Sequence, residues 1–360
     1  MIRPGRFWSG VIIRRGAASP QRIARNGSAC EMHVSSATRV IIDTDPGVDD
    51  ALAILLALSS PELDVVGITT VCGNVPVGQA TKNLFRVLNL VQPPSELLVG
   101  QGAARPLEHQ LVDATHFHGH DGLGELDRFR DGGTACRYPQ PRLPASLPTA
   151  QEVWNECARR YPGELVLITL APLTNLALAL KVSPELVRKF TRVICMGGAI
   201  AVPGNVAPAA EFNMYVDPHA AQRVLQSGLP LTIVPLDVTT QVGFSRTGLA
   251  RLVEGSSDPV ARFVGDATEK AFDYAELTEG HGQFYLHDPL AVAIAIDPSV
   301  VTVESLQVEV EAAGSVTRGL TVADRRVLHA EYRSPPNVQV AVGVKPERAI
   351  ELFEDRLCRR

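Results

Sequence analysis

Four carboxylates fall within eight residues directly behind an apolar, β-branched run, in Val40-Ile41-Ile42-Asp43-Thr44-Asp45-Pro46-Gly47-Val48-Asp49-Asp50. Arg39-Val40-Ile41-Ile42 reads as a buried strand, and Asp49-Asp50 ahead of the apolar stretch 51–58 reads as the acidic first turn of a helix. The acids therefore sit on a strand-to-helix turn. In an open α/β sheet such a turn lies at the carboxyl end of a strand, where ligands bind. Crowded carboxylates repel one another unless a hard cation or a hydroxyl-rich ligand takes up their oxygens. The plainer alternative is a helix N-terminus decorated with acids, which the helix dipole favours in any case.

The chain beyond this turn keeps alternating strand and helix. Residues 64–71 form a second buried strand running into Cys72-Gly73-Asn74, so Asn74 lands beside the aspartates. Leu84, Val87, Leu88 and Val91 recur at helical spacing over 77–91, Pro93-Pro94 stops that helix, and Leu97-Leu98-Val99-Gly100 is a short strand. Residues 101–148 break the pattern and read as a long loop region, which in a compact α/β domain is more often functional than accidental. Within it, His116-Phe117-His118-Gly119-His120 invites a metal reading, but the glycine makes a turn and no cysteine accompanies it. A polar loop histidine is the simpler reading of each.

Alternation resumes with helix 149–161, strand 164–170, a helix opened by Pro172, a helix over 184–190, and strand 192–196 ending in Gly197-Gly198. Loop 203–213 gathers Asn205, Glu211 and Asn213; turn chemistry accounts for the asparagines more easily than for Glu211. Asp217-Pro218 caps a further helix, strand 231–235 ends at Asp237, a helical stretch runs to about Glu279, and Asp288-Pro289 reads as the N-cap of an apolar helix ending at Ile296. Strands at 302–311, 319–322 and 337–343 and an amphipathic helix close the chain. This order predicts an α/β fold: one open, mostly parallel, doubly wound sheet flanked by helices, with long active-site loops and C-terminal edge strands. No repeat or linker divides residues 39–360.

Residues 1–38 stand apart, with Arg3, Arg6, Arg14, Arg15, Arg22 and Arg25 against the single acid Glu31. They read either as a transit-like basic leader, which would send the protein to mitochondria, or as a disordered tail ahead of a working start at Met32, which would leave it cytoplasmic. A net charge of -5 gives no electrostatic reason to expect a nucleic-acid or membrane partner, and the six cysteines show no C-x-x-C spacing. Small polar ligands are the better expectation.

In a parallel sheet the strand ends share one rim, so Asp43, Asp45, Asn74, the Leu170 carbonyl, Asn205 and Asp237 can converge although far apart in sequence. Such oxygen donors suit Ca²⁺ or Mg²⁺, and an irregular multidentate set favours Ca²⁺. No phosphate-binding glycine loop is present, and a rim rich in acids would repel phosphate. Vicinal hydroxyls suit it better, since they donate to carboxylates.

The stretch Asp43-Thr44-Asp45-Pro46-Gly47-Val48-Asp49-Asp50-Ala51 resembles the signature of the inosine-uridine preferring nucleoside hydrolases, which cleave the N-glycosidic bond of ribonucleosides. Further blocks resemble the family in the same order: Ile68 to Asn74, Pro172-Leu173-Thr174-Asn175, Met196-Gly197-Gly198, Glu211-Phe212-Asn213 with Asp217-Pro218, His287-Asp288-Pro289, and Gly319 to Asp324. The resemblance implies that Asp45, Asp50, Asp288 and the main-chain carbonyl of Leu170 ligate Ca²⁺, with Asp45 also the base for the attacking water and Asp43 supporting from behind. It implies that Asp49, Asn205, Glu211 and Asn213 hold ribose hydroxyls, that Asn74 lies near metal and sugar, that His287 protonates the leaving base, and that His118 lies near the base. Phe272, Tyr274 and the loop 281–286 stand where the family closes over the base. Retention of His287 points to the inosine-uridine or pyrimidine-tolerant branch, and the family's habit implies a homodimer or homotetramer.

Two rival readings differ in chemistry. In a haloacid-dehalogenase-type phosphatase an apolar strand ends in D-x-D and the first aspartate, here Asp43, is the nucleophile; Pro46-Gly47 departs from that pattern. A non-catalytic nucleoside or ribose binder would lack Asp45 or His287, and both are present.

Overall fold

A computed structural model describes residues 37–359 apart from positions 92, 94, 95, 279, 281, 328 and 333. All of the basic leader but its last two residues thus falls outside the described residues, as do Pro94 and His281. The centre is an eight-stranded sheet made of β1 (Thr38–Thr44), β2 (Leu63–Thr70), β3 (Leu98–Gln101), β4 (Leu165–Thr169), β5 (Phe190–Met196), β6 (Leu231–Val234), β7 (Val301–Leu306) and β8 (Val338–Val344). The spatial order is β7-β8-β6-β5-β4-β1-β2-β3, with every neighbouring pair parallel except β7 and β8. The expected doubly wound α/β fold is therefore present.

The central strands feed apolar side chains to both faces. In β1, Val40 and Ile42 join the core under α1 (Val48–Leu58), α2 (Val77–Leu88), α6 (Pro259–Thr278) and α7 (His287–Ile296), whereas Ile41 joins the core under α3 (Ala150–Arg160), α4 (Thr174–Val182) and α5 (Pro218–Leu225). That two-sided burial is why β1 reads as a continuous apolar run rather than an alternating one. The chain lays β2 and β3 on one side of β1 and then returns to lay β4 on the other. The direction of winding reverses between β1 and β4, and the crevice at their carboxyl ends is where such sheets bind ligands. Asp43 lies at that point, in register with Thr69 of β2 and Thr169 of β4.

Three expectations need correction. β8 is not an edge strand: it lies inside the sheet between β7 and β6, while Val308–Val310 and Thr321–Ala323 form a separate two-stranded unit. The stretch expected to be helical up to 279 contains the strand Gly243–Ser245, paired antiparallel with Gln283–Tyr285. Three-residue strands paired across some forty positions leave no local periodicity to read. Asp288 is not an N-cap, because α7 already begins at His287 and Asp288 sits within its first turn. Loop 101–148 is largely irregular as expected, with the short helix Thr115–His118 inside it. No helix among the described residues is long and apolar enough to cross a membrane.

Candidate active site

The turn after β1 is held by its own acids. The Asp50 carboxylate accepts the backbone N–H of Asp45 at 3.2 Å and of Gly47 at 3.0 Å, the side-chain amide of Asn74 at 2.9 Å, and the Thr44 hydroxyl. Asp50 is thus partly the helix-cap acid of the plainer reading, but it is tied to a second strand end as well. The Asn74 N–H donates to Asp45 Oδ2 at 2.5 Å, and Asp45 Oδ1 is buried with no partner. Gly73 permits that approach, since a Cβ there would lie 1.8 Å from Asp45 Oδ2. Asp49, Asp50 and Asp288 each offer an oxygen within 4.8 Å of the others, so α1 and α7 close one acidic cluster from opposite ends of the sequence.

Burial, reinforced by the neighbouring charge of Asp50, pushes Asp45 well above the usual carboxylate range and lifts Asp49 to about 8. Burial likewise raises Asp288, with Asp49, Asp50 and Asp45 adding repulsion. These groups cannot all ionise side by side without a cation. An orphaned buried oxygen, three converging carboxylates and only oxygen donors fit a hard divalent ion. Asp43 stands behind the cluster: Oδ1 accepts from Thr69 and Asn175 at 2.6 and 2.8 Å, and the residue does not line the cleft. An aspartate braced by two donors on one oxygen is a support for the cluster, which counts against the phosphatase reading.

A cleft open to solvent lies over this cluster. It is lined by Asp49, Asn74, His118, Leu170, Asn205, Glu211, Asn213, His287 and Asp288 among others, and by no lysine or arginine among the described residues. Asp45 and Asp50 lie beneath that surface, fully buried. Glu211 is buried and accepts the N–H groups of Gly198, Asn213 and Met214 at 3.0, 2.8 and 3.1 Å; burial nonetheless holds its pKa above the ordinary value. Asn213 donates to the Leu170 carbonyl at 2.9 Å, so the carbonyl expected to ligate a metal already accepts one bond. Asn205 is exposed at the rim, and its Oδ1 accepts the Phe212 N–H at 3.0 Å, the turn role foreseen for it. Asp237 does not join the rim: its carboxylate accepts the N–H groups of Ile200 and Ala201 at 2.9 and 2.8 Å and straps down the loop after β5.

Beside Asp288 in the cleft, His287 Nδ1 lies 2.7 Å from the Thr239 hydroxyl, and burial lowers its pKa to about 4. His118 accepts the Val48 N–H at Nδ1, 3.0 Å, which anchors it over the start of α1, and burial with His116 and His287 nearby lowers it to about 3. It is therefore both a cleft residue and a brace for the acidic turn. His116, Phe117, Tyr274, Gln283 and Tyr285 complete this wall. Phe272 does not: it packs in the core against Phe284. Thr239 was not singled out in the sequence, where no spacing marks it, whereas His116 lay in the histidine loop and Gln283 in the loop 281–286 already noted there.

A family model described as inosine-uridine preferring nucleoside hydrolase matches residues 40–351. The chain belongs to the inosine-uridine preferring nucleoside hydrolase family. Its relatives include the pyrimidine-specific ribonucleoside hydrolase RihA of Salmonella paratyphi B, 36% identical over 319 residues that span 88% of this chain and 97% of the relative. Among solved structures, a plant nucleoside hydrolase, the PpNRh1 enzyme, is similar with a TM-score of 0.79 and 34% identity, covering 90% of this chain and 99% of its own. A purine-preferring ribonucleoside hydrolase from Gardnerella vaginalis is similar with a TM-score of 0.78 and 32% identity, covering 88% and 97%. The protein is thus a ribonucleoside hydrolase, in a metal-dependent family whose buried aspartate cluster can hold the ion.

Proposed function

We propose that the protein hydrolyses the N-glycosidic bond of inosine- and uridine-type ribonucleosides with Ca²⁺, releasing base and ribose. The observation that supports it best is the unpartnered, buried Asp45 Oδ1 beside the Asp49, Asp50 and Asp288 cluster, with His287 in the same cleft. Asp45, Asp50, Asp288 and the Leu170 carbonyl would hold the ion. Bound there, Ca²⁺ would bring a water's pKa down toward neutrality. Asp45 takes the proton, since its oxygen has no competing donor.

Asp49 and Glu211 accept ribose hydroxyls, and Asn205 and Asn213 keep Nδ2 and Oδ1 respectively for the sugar, because the bonds they make engage their other atoms. Glu211 also favours the positive charge that develops on the ring. Asn74 holds Asp45 and Asp50 in place. As general acid His287 acts as the imidazolium: its Nδ1–H donates to the Thr239 hydroxyl oxygen and its Nε2–H passes to the departing base, leaving neutral imidazole. His118 supports the wall facing the base. The wall's mixture of imidazole, phenol and amide suits the polar edges of either base class, and the similar proteins include both a pyrimidine-specific and a purine-preferring enzyme.

A reducing-sugar assay over inosine, uridine, guanosine and cytidine tests this. Ribose from inosine or uridine is the expected result; no ribose from any of the four would overturn it.

A further inference from the structure

Helix α2 sends no side chain into the cleft, yet one of its residues joins the two halves of the site. Asn83 is 1% exposed; its Nδ2 donates to the Pro46 carbonyl at 2.9 Å and to the Asp121 carbonyl at 2.8 Å, and its Oδ1 accepts from Gln79 at 2.9 Å. Pro46 is the residue between Asp45 and Gly47 in the acidic turn. Asp121 follows the His116–His118 segment, and its carboxylate accepts the N–H groups of Leu123, Glu125 and Leu126, which folds the loop around it. Arg86, one turn further along α2, donates to the Tyr138 carbonyl at 3.0 Å and to Asp127 at 2.5 Å, so the loop has a second tether to the same helix. Gly122 takes φ +79, and a Cβ there would lie 2.7 Å from Asn83 Nδ2. The loop backbone is therefore pressed against this one amide.

We infer that Asn83 is a positioning residue: its single buried NH₂ group sets the separation between the acidic turn and the histidine loop. The inference rests on the site reading given above. Both neighbours of Nδ2 are carbonyl oxygens, so only a two-proton donor satisfies them. Asp in that place would set a carboxylate against two acceptors, and Leu would leave the Pro46 carbonyl without its donor and the Asp121 carbonyl with only the longer bond from Gln79 at 3.3 Å. Either lets Pro46 shift, and Asp45 with it. Reacting groups misplaced by an ångström can lose about a hundredfold in rate.

The test compares wild type with Asn83→Asp, Asn83→Leu and Leu84→Ala, each assayed well below its own Tm. Leu84 is fully buried on the same helix and touches neither carbonyl, so its truncation reports the cost of merely weakening α2. The readouts are kcat and KM for p-nitrophenyl riboside and Ca²⁺ affinity by calorimetry. Both Asn83 variants should lose roughly ten- to a hundredfold in kcat with KM moved less than about threefold, and should bind Ca²⁺ about tenfold more weakly. Leu84→Ala should lower Tm while keeping kcat and Ca²⁺ affinity within about twofold. Should Asn83→Asp fail to fold, Asn83→Leu decides alone. Wild-type kcat and Ca²⁺ affinity in a folded Asn83 variant, or equal losses in Leu84→Ala, would overturn the inference. A wild type that binds Ca²⁺ but releases no sugar counts against the site reading instead, and the Ca²⁺ arm still judges Asn83.

Discussion

The two ends of the cleft are built differently. At the acidic end, which the proposed function gives to the sugar, Asp45, Asp50, Asn74 and the Leu170 carbonyl come from the ends of β1, β2 and β4 or the first turn behind them, and all are buried. At the base end, His116, Phe117, Tyr274, Gln283 and Tyr285 come from a loop, the outer turns of α6 and a three-residue strand. That wall is fastened from outside by part-exposed ion pairs: Lys270 with Glu125 at 2.7 Å, Arg128 with Glu269 at 2.6 Å, Arg137 with Asp266 at 2.7 Å, and Arg246 with Asp273 at 2.7 Å. Pairs of that kind contribute up to about 1 kcal/mol each and weaken with salt. On the proposed function, the parts that break the bond rest on the sheet, and the parts that meet the base rest on elements that can change without disturbing it. A family that shares one chemistry while its members' names differ in base preference is what this division allows.

The division predicts graded effects. The largest belongs to the sugar end: Asp45→Asn should lower kcat on every nucleoside by about a thousandfold or more, because it removes the proton acceptor. The same substitution should leave Tm of the chelated protein unchanged or raised, since the native carboxylate is buried, repelled by Asp50 and left with an unpaired oxygen. Differential scanning fluorimetry beside steady-state kinetics checks both. A falling Tm together with intact kcat would reverse the assignment.

Between the two ends stands His287. His287→Ala should cost roughly a hundred- to ten-thousandfold on inosine, yet only a few-fold on p-nitrophenyl riboside, whose leaving group departs without a proton. Equal losses on the two substrates would remove the general-acid role. The smallest effect belongs to the outer wall. Tyr274→Phe should change the ratio of inosine to uridine kcat/KM by about three- to tenfold, the worth of one hydrogen bond, while p-nitrophenyl riboside turnover stays put. A uniform loss on all three substrates would show that the wall is not separable from the chemistry.

The same division governs what could be read from the chain. The acidic turn was legible because strand, turn and helix start are contiguous, and local rules apply to each of Val40 to Leu58. The strand-helix alternation likewise disclosed the sheet. Asp237 misled because a strand-end acid looks the same whether it faces a cleft or, as here, straps the loop after β5. β8 was mistaken for an edge strand because order within a sheet is not a local property. At the base end, Gly243–Ser245 finds its partner Gln283–Tyr285 beyond a whole helix, and Thr239 meets His287 across 48 positions. Neither contact leaves a trace in local composition. His118 was read first as an ordinary loop histidine and then, by resemblance, as a base-side residue; its bond to the Val48 N–H gives it a bracing role that neither reading contained.

The claim on which the rest depends is that the cluster at the β1/β4 crevice holds a cation needed for bond cleavage. The direct measurement strips the protein with chelator, titrates Ca²⁺ back, and follows ribose release from inosine or uridine alongside heat of binding in wild type and Asp288→Asn. Release should vanish on chelation and return with a single saturating Ca²⁺ site, and Asp288→Asn should weaken that site and the recovery together. Ribose release that persists through chelation, or Ca²⁺ binding that Asp288→Asn leaves untouched, would contradict it.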